Sequence, residues 1–114
     1  MDKKLPLRIN SLLEHINKVL NSTKDVTIDD FKNSDLLLRA TAFSIMQIGE
    51  QMNKLEKLLK DKYPNLPWDS ARATRNVIVH DYDSIDIDML FSTVKIDLPI
   101  LKEAFEEVKK DLMN

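Results

Sequence analysis

One short stretch of this chain, residues 72–82, collects side chains that could carry out a reaction. It holds Arg72, Arg75, Asn76, His80 and Tyr82. An arginine is always cationic and can donate paired hydrogen bonds to a carboxylate or a phosphate. A histidine titrates near neutrality and can carry a proton, while asparagine and tyrosine supply further hydrogen-bonding groups. Together these side chains could hold a phosphodiester and move a proton.

The same residues also have an ordinary structural interpretation. Cationic side chains favour the C-terminal end of a helix, where the helix dipole is negative. Arg75 could form an ion pair with an acidic neighbour, and His80 could be a helix-end residue that bonds to the backbone. The local pattern alone does not separate this interpretation from a reactive site.

Helix geometry limits how a site could form here. Arg75 and His80 are five residues apart, so on an ideal helix they point about 140° apart. One arrangement that converges them is a helix that ends just before His80. The other is a twofold axis that brings Arg75 and His80 of two copies around one cleft. Asn76 and His80 are four apart and could touch directly.

Composition predicts one globular domain, residues 1–114. The chain has 43% hydrophobic residues and a single glycine, which fits a folded domain with one core. It has no cysteine, so disulfides and thiolate metal sites are excluded. The net charge of -2 argues against a strong, non-specific nucleic-acid binder.

No targeting or membrane segment is expected. The N-terminal residues lack the apolar run of a signal peptide, and no apolar stretch approaches the roughly 20 residues of a membrane span. We therefore expect a cytoplasmic protein that makes no membrane contact.

Apolar residues recur at helical spacing and predict four principal helices and one short one. The first covers about 7–20, and Thr27 caps a short helix over 28–32. A long helix, capped by Ser34 and with an apolar pattern that includes Leu36, Phe43 and Leu58, reaches about residue 62.

The third principal helix carries the 72–82 stretch. Asp69 or Ser70 is expected to cap it, and it runs to about His80. Asp86 is expected to cap the last helix, which Pro99 should kink or interrupt near residues 95–96. Short connections imply an all-α, antiparallel up-and-down four-helix bundle with the short helix as an addition.

Charge and glycine placement add two observations. Residues 54–75 hold six basic and three acidic side chains, whereas residues 81–114 hold nine acidic and four basic ones. Gly49 lies inside the long helix, where glycine costs roughly 1 kcal/mol against alanine. Such a cost suggests that another backbone approaches closely, from a neighbouring helix or from a twofold mate.

The remaining candidates favour structural roles. His15 has no partner at metal-ligand spacing, and Trp68 is expected to fill the core where a loop meets the bundle. Glu50 could face the site or pair with Arg75 or Arg72. Three aspartates resemble a calcium loop but lack its glycine and terminal glutamate: Asp83, Asp86 and Asp88. No metal or cofactor is predicted.

The chain resembles the HepT-like proteins of the HEPN superfamily over nearly its whole length. The site motif of that group is Arg, four to six residues, His; here it is Arg75, four residues, His80, then any residue and Tyr82. Ile48-Gly49-Glu50, the Tyr63–Trp68 segment, Ile85-Asp86 and Asp97-Leu98-Pro99 also fit. The pair Ala73-Thr74 departs from the Gly-Met that relatives often have, which we expect to alter packing and not chemistry.

The resemblance implies a homodimer with a metal-independent RNase site at its interface. It implies that Arg75 binds and polarises the scissile phosphate, that His80 transfers the proton, and that Asn76 orients His80 or the phosphate. Arg72 is a further candidate for phosphate or RNA binding. The resemblance also implies a toxin whose antitoxin, a minimal nucleotidyltransferase, adds AMP to Tyr82.

Two other hypotheses stay open at the level of sequence. The chain could be a non-catalytic helical module that docks a nucleotidyltransferase and presents Tyr82 for modification. It could also be a purely structural helical dimer, which requires that Arg75 and His80 be paired internally and closed to solvent.

Overall fold

The long helix α3 (Asp35–Leu59) is the element on which most of the others pack in the computed structural model, which describes residues 3–113. Helix α1 (Leu5–Ser22), the short α2 (Ile28–Asn33) and α4 (Trp68–His80) all contact it. A 3₁₀ turn (Tyr82–Ser84) leads to α5 (Ile87–Ser92), a π-helical turn (Thr93–Asp97) and α6 (Leu98–Met113). The predicted all-α bundle with one additional short helix is confirmed.

The core lies where α1, α3 and α6 face one another. Each of these helices presents an apolar stripe at helical spacing, and burying the stripes drives their association. Helix α1 contributes Leu5, Ile9, Leu12, Leu13, Ile16 and Val19; α3 contributes Ala42, Ile45, Ile48, Met52, Leu55 and Leu59; α6 contributes Leu98, Leu101, Phe105 and Val108.

Three predicted helix caps are confirmed. Thr27, Ser34 and Asp86 each accept a hydrogen bond from the backbone N–H three residues later, at 3.1–3.2 Å. At Thr27 the cap is reciprocal, because the Asp30 carboxylate accepts from the Thr27 N–H at 2.8 Å. These caps fix where α2, α3 and α5 begin.

The expected cap of α4 at Asp69 or Ser70 is wrong. The helix begins at Trp68, directly after Pro67, and no side chain caps it. Proline already has a backbone torsion suited to a helix start, and the first helical bond runs from the Ala71 N–H to the Pro67 carbonyl at 3.0 Å. The demand to bury Trp68 outweighs the local capping preference.

Some apolar residues of α1 and α3 that the sequence pattern placed on the buried side are exposed. Leu7 on α1 and Leu36 on α3 are 70% and 80% exposed, and Phe43 and Leu58 are also exposed. The buried side of α3 includes Thr41 and the small Ala42 and Gly49 instead. Helix α3 also ends at Leu59, three residues before the predicted end.

Pro99 interrupts the last helix, as predicted, through a π-helical turn at Thr93–Asp97. Since proline has no N–H, the bond from residue 99 back to residue 95 cannot form. The Lys95 ammonium reaches across and donates to the Thr23 carbonyl at 2.6 Å, which ties this turn to the end of α1. Among residues 3–113, no helix has both the length and the apolar character to span a membrane.

Candidate functional site

Helix α4 is anchored at its first residue. Trp68 is buried, its indole N–H donates to the Tyr63 carbonyl at 2.9 Å, and its ring meets Phe105 of α6 edge-on at 6.0 Å. Ile78 is buried near the other end of the helix. Trp68 is therefore the core residue that the sequence predicted, and it fixes the start of the helix that carries Arg75 and His80.

Arg75 extends from α4 toward α3 and is held there by two contacts. Its Nε donates to the carboxylate of Glu50, and its Nη1 donates to Asn76 Oδ1 at 2.9 Å. The side chain is 31% exposed. The pairing of Arg75 with an acidic neighbour, one of the alternatives from sequence, is thus present, but it leaves part of the guanidinium open to solvent.

His80 is the last residue of α4 and lies exposed to solvent. Within residues 3–113 no group hydrogen-bonds to its imidazole. The helix continues through His80 and closes with the Asp81 N–H donating to the Val77 carbonyl at 2.9 Å. The first arrangement considered above, a helix that ends before His80, is therefore not realised.

The structure does not join all three motif residues. Asn76 is oriented by Arg75 and makes no hydrogen bond to His80, although the spacing would permit one. Because α4 is continuous through Arg75 and His80, the two side chains leave it about 140° apart. Within one chain, Arg75 and Asn76 form a unit and His80 stands apart.

Arg72 has a different environment from that of Arg75. It pairs with Glu56 of α3 and with Asp69, the latter at 3.0 Å. These hydrogen bonds, first that with Glu56 and then that with Asp69, raise the pKa of Arg72 above its usual value. A phosphate that bound Arg72 would compete with both carboxylates.

Tyr82 lies two residues beyond His80 in the 3₁₀ turn, with 37% of its surface exposed. The Arg39 guanidinium of α3 stands over its ring, 5.5 Å from the centroid. Its hydroxyl has no hydrogen-bond partner in the part of the chain that the structure describes. Sequence reasoning missed Arg39, since no local pattern links residues so far apart.

An open polar cleft of about 600 Å³ adjoins the Arg72 end of α4. Its lining includes Lys57 of α3, Lys60 just beyond the end of α3, and Arg72, together with the carboxylates of Glu56 and Asp61. The basic segment predicted from sequence therefore meets α4 at this cleft, whereas exposed aspartates follow His80.

The side chains of residues 3–113 include no group of three His, Cys, Asp or Glu placed to hold a metal ion. His15 lies half-buried at the edge of α1, where burial and then the charge of Lys18 lower its pKa, against an interaction with the Gln51 side chain that raises it. This position fits the structural role expected for His15.

Comparisons with known proteins agree with the resemblance that the motif indicates. The family model described as Ribonuclease HepT-like matches residues 12–108. The chain is 30% identical over 101 residues to a Methanocaldococcus jannaschii protein named "Putative RNase", covering 89% of this chain and 87% of that protein. It is 28% identical over 106 residues to a Thermococcus cleftensis protein named "Probable ribonuclease HepT", covering 90% and 93%. No solved structure matches the chain.

Proposed function

Since the chain belongs to the HepT-like ribonuclease family, we propose that it is an RNA endonuclease with its site at residues 72–82. The observation that carries this proposal is the state of the two motif residues. His80 is exposed and its imidazole is uncommitted. Arg75 is fixed through Nε and one bond from Nη1, so its other donors can meet a phosphate.

The chemistry requires positioning, a cation and a proton carrier. The RNA 2′-hydroxyl attacks the adjacent phosphorus, a 2′-O–P bond forms, and the P–O5′ bond breaks. Arg75 stabilises the charge that develops on the phosphoryl oxygens. His80 takes the proton of the 2′-hydroxyl or delivers one to the leaving 5′-oxygen. A 2′-hydroxyl nucleophile restricts the substrate to RNA, and the reaction needs no metal, so EDTA should leave the rate unchanged.

A homodimer is part of the proposal, because the two groups diverge on one helix. Exposed apolar side chains are available to such a contact, namely Phe43 on α3 and Val77 and Val79 on opposite flanks of α4. Gly49, in contrast, is covered by α4 of its own chain, so its burial gives no support for a twofold contact there. The twofold arrangement would bring Arg75 of one protomer to His80 of its partner.

Mixing two inactive variants tests the shared site. Arg75→Ala protein and His80→Ala protein are refolded together, and one of the two sites in a mixed dimer then keeps both groups. We expect RNA cleavage in the mixture to rise well above the residual level of either variant alone. Mixtures as inactive as their components, or a protein that sediments as a monomer at micromolar concentration, would contradict the dimeric site.

Control by AMP addition to Tyr82 is the regulatory part of the proposal. Tyr82 is an exposed residue in a turn, and its hydroxyl makes no hydrogen bond within residues 3–113, which supports access by a nucleotidyltransferase antitoxin. The added phosphodiester would compete with RNA for cationic groups, and the adenosine would block the site. Co-expression with the cognate nucleotidyltransferase, a cytoplasmic partner in this scheme, should add the mass of AMP to Tyr82 and not to the Tyr82→Phe variant.

The second candidate is a non-catalytic module that docks the nucleotidyltransferase. The ion pair between Arg75 and Glu50 and the exposed Tyr82 favour it, because both are compatible with presentation of a tyrosine without catalysis. RNA incubated with purified protein separates the two candidates. Cleavage that falls on the order of 10²–10⁴-fold in His80→Ala supports the nuclease, whereas intact RNA supports the docking module.

A further inference from the structure

Gly49 and Arg75 are in contact at the closest approach of α3 and α4. A Cβ atom placed on Gly49 would lie 2.6 Å from Arg75 Cβ, 3.1 Å from Arg75 Cγ and 3.4 Å from the Ala71 carbonyl oxygen. The glycine does not have a positive φ, so what it provides is space and not an unusual backbone conformation. A bare Cα at position 49 lets the stem of Arg75 lie directly on α3.

The next residue of α3 controls the other end of the same side chain. Glu50 accepts the hydrogen bond from Arg75 Nε, and both side chains are about one-third exposed. Consecutive residues on a helix point about 100° apart. Gly49 therefore faces the helix α4 itself, and Glu50 flanks the contact where the guanidinium emerges.

These two contacts limit where the guanidinium can go. A guanidinium has five N–H groups; one points to Glu50 and one to Asn76. The Nη2 group and one N–H of Nη1 make no hydrogen bond within residues 3–113, and they form the edge of the fork that is left for a phosphate. With stem and Nε both held, this edge is presented in one orientation before any substrate arrives.

We infer that Gly49 and Glu50 are positioning residues that together form a cradle for Arg75, setting the orientation in which its free edge meets a phosphate. This inference rests on the proposed RNase function and deepens it. It also explains why a helix-breaking glycine and an acidic residue, which would repel RNA, stand side by side next to the motif arginine.

Glu50→Ala is the main test. Removing the carboxylate frees the guanidinium to adopt other orientations, and a misplacement of about 1 Å can cost about 10²-fold in rate. We expect kcat for RNA cleavage to fall by roughly that factor, while affinity for an uncleavable 2′-deoxy analogue changes little. Glu50→Gln keeps an oxygen that can accept from Nε and should restore most of kcat.

Glu107→Ala is the matched control. Glu107 is an exposed carboxylate paired with Lys110 on α6, away from α4, so its removal should leave kcat unchanged. A second readout does not depend on activity: the Nε–H proton of Arg75, observed by NMR, should exchange slowly in the wild type and in Glu50→Gln but rapidly in Glu50→Ala.

Gly49→Ala tests whether the aliphatic part of the Arg75 side chain needs the space that Gly49 leaves. Its Cβ would meet an atom that cannot swing aside, so the two helices must separate and carry Arg75 with them. We expect a loss of kcat in a protein that remains helical by circular dichroism. If Gly49→Ala fails to fold, the Glu50 variants carry the test.

The outcomes separate the two ideas. A wild-type protein that cleaves RNA together with a Glu50→Ala variant of equal kcat overturns the cradle and leaves the proposed function standing. A Glu50→Gln variant as slow as Glu50→Ala overturns positioning by the hydrogen bond. Failure of the wild type to cleave any RNA overturns the proposed function, and the exchange of the Nε–H proton then decides whether the cradle exists at all.

Discussion

The two ends of α4 differ in how far their side chains are buried or hydrogen-bonded. At the first turn, Trp68 is buried and hydrogen-bonded, and Arg72 is engaged by two carboxylates. At the last turn, the His80 imidazole has no hydrogen-bond partner among residues 3–113. Arg75 stands between these extremes, held on one edge and open on the other. The helix is thus anchored at one end and leaves a side chain of the proposed site exposed at the other.

The comparison teaches that two arginines three residues apart can have different roles for reasons outside their helix. Both face α3 and both meet a glutamate there, Glu56 or Glu50. Arg72 has a second carboxylate, Asp69, which occupies another of its donors. Arg75 also has a second acceptor, but it is the neutral amide oxygen of Asn76. The charge of the acceptors around each guanidinium, and not its place in the motif alone, therefore sets how strongly a phosphate must compete for it.

The largest effect is expected from removal of the anchor. Trp68→Ala deletes a buried ring with its hydrogen bond and should lower the free energy of unfolding by about 3–5 kcal/mol, measured by urea denaturation. Leu36→Ala, at an exposed position of α3, serves as the control and should change stability by less than about 0.5 kcal/mol. A Trp68→Ala protein of near-wild-type stability would show that α4 does not depend on this end.

The difference between the two arginines can be tested directly by substituting each of them. Arg75→Ala should reduce RNA cleavage by about 10²–10³-fold, the usual cost of losing one charge-stabilising donor. Arg72→Ala should reduce it much less, because a phosphate must displace Glu56 and Asp69 to reach Arg72. Melting curves check that both proteins fold, and equal losses from the two substitutions would remove the distinction.

A smaller effect is expected beyond the C-terminal end of α4, where Asp86 caps the start of α5. Asp86→Ala removes a side-chain cap and should cost about 1 kcal/mol in unfolding free energy. Asp83→Ala, at an exposed aspartate of the preceding turn with no side-chain hydrogen bond in the described chain, is its control. If the two substitutions lower the free energy of unfolding equally, the cap at Asp86 does not stabilise the start of α5.

The smallest effect is a pH dependence at the anchored end. Tyr63, whose carbonyl accepts from Trp68, donates its hydroxyl to Asp111, and burial followed by this bond raises the pKa of Tyr63 to about 12. The raised pKa stabilises the fold fully below pH about 10, and that contribution is lost as the pH rises toward about 12. Tyr63→Phe should show a shallower fall of stability over this window in denaturation at several pH values. Identical pH profiles would contradict a role for this hydrogen bond.

Much of the fold follows from local sequence. Capping by Thr27, Ser34 and Asp86 was predictable, because a cap depends on residues within one turn. The interruption before Pro99 followed from its missing N–H. The start of α4 did not follow, since burial of Trp68 overrode the local preference for Asp69 or Ser70.

The site itself was predictable only in part. The motif residues were found from their types and spacing, and the pairing of Glu50 with Arg75 was among the alternatives considered. The contact of Arg39 with Tyr82 depends on how α3 and the 3₁₀ turn meet in space, and no periodicity encodes that. The exposed side of Phe43 likewise reflects which helices cover α3.

The contiguity of the site in the chain has a consequence for the order of folding. Every side chain discussed for catalysis or its control lies between Arg39 and Tyr82, in one helical hairpin of α3 and α4 and the turn that follows it. Contacts between elements adjacent in sequence close small loops and form early. The contact between the Trp68 and Phe105 rings, in contrast, requires α6. During synthesis the hairpin leaves the ribosome before α6, so we expect the geometry of the proposed site to become rigid only when α6 packs against Trp68. Pulse-labelling hydrogen exchange during refolding would record this as protection of α3 ahead of α6.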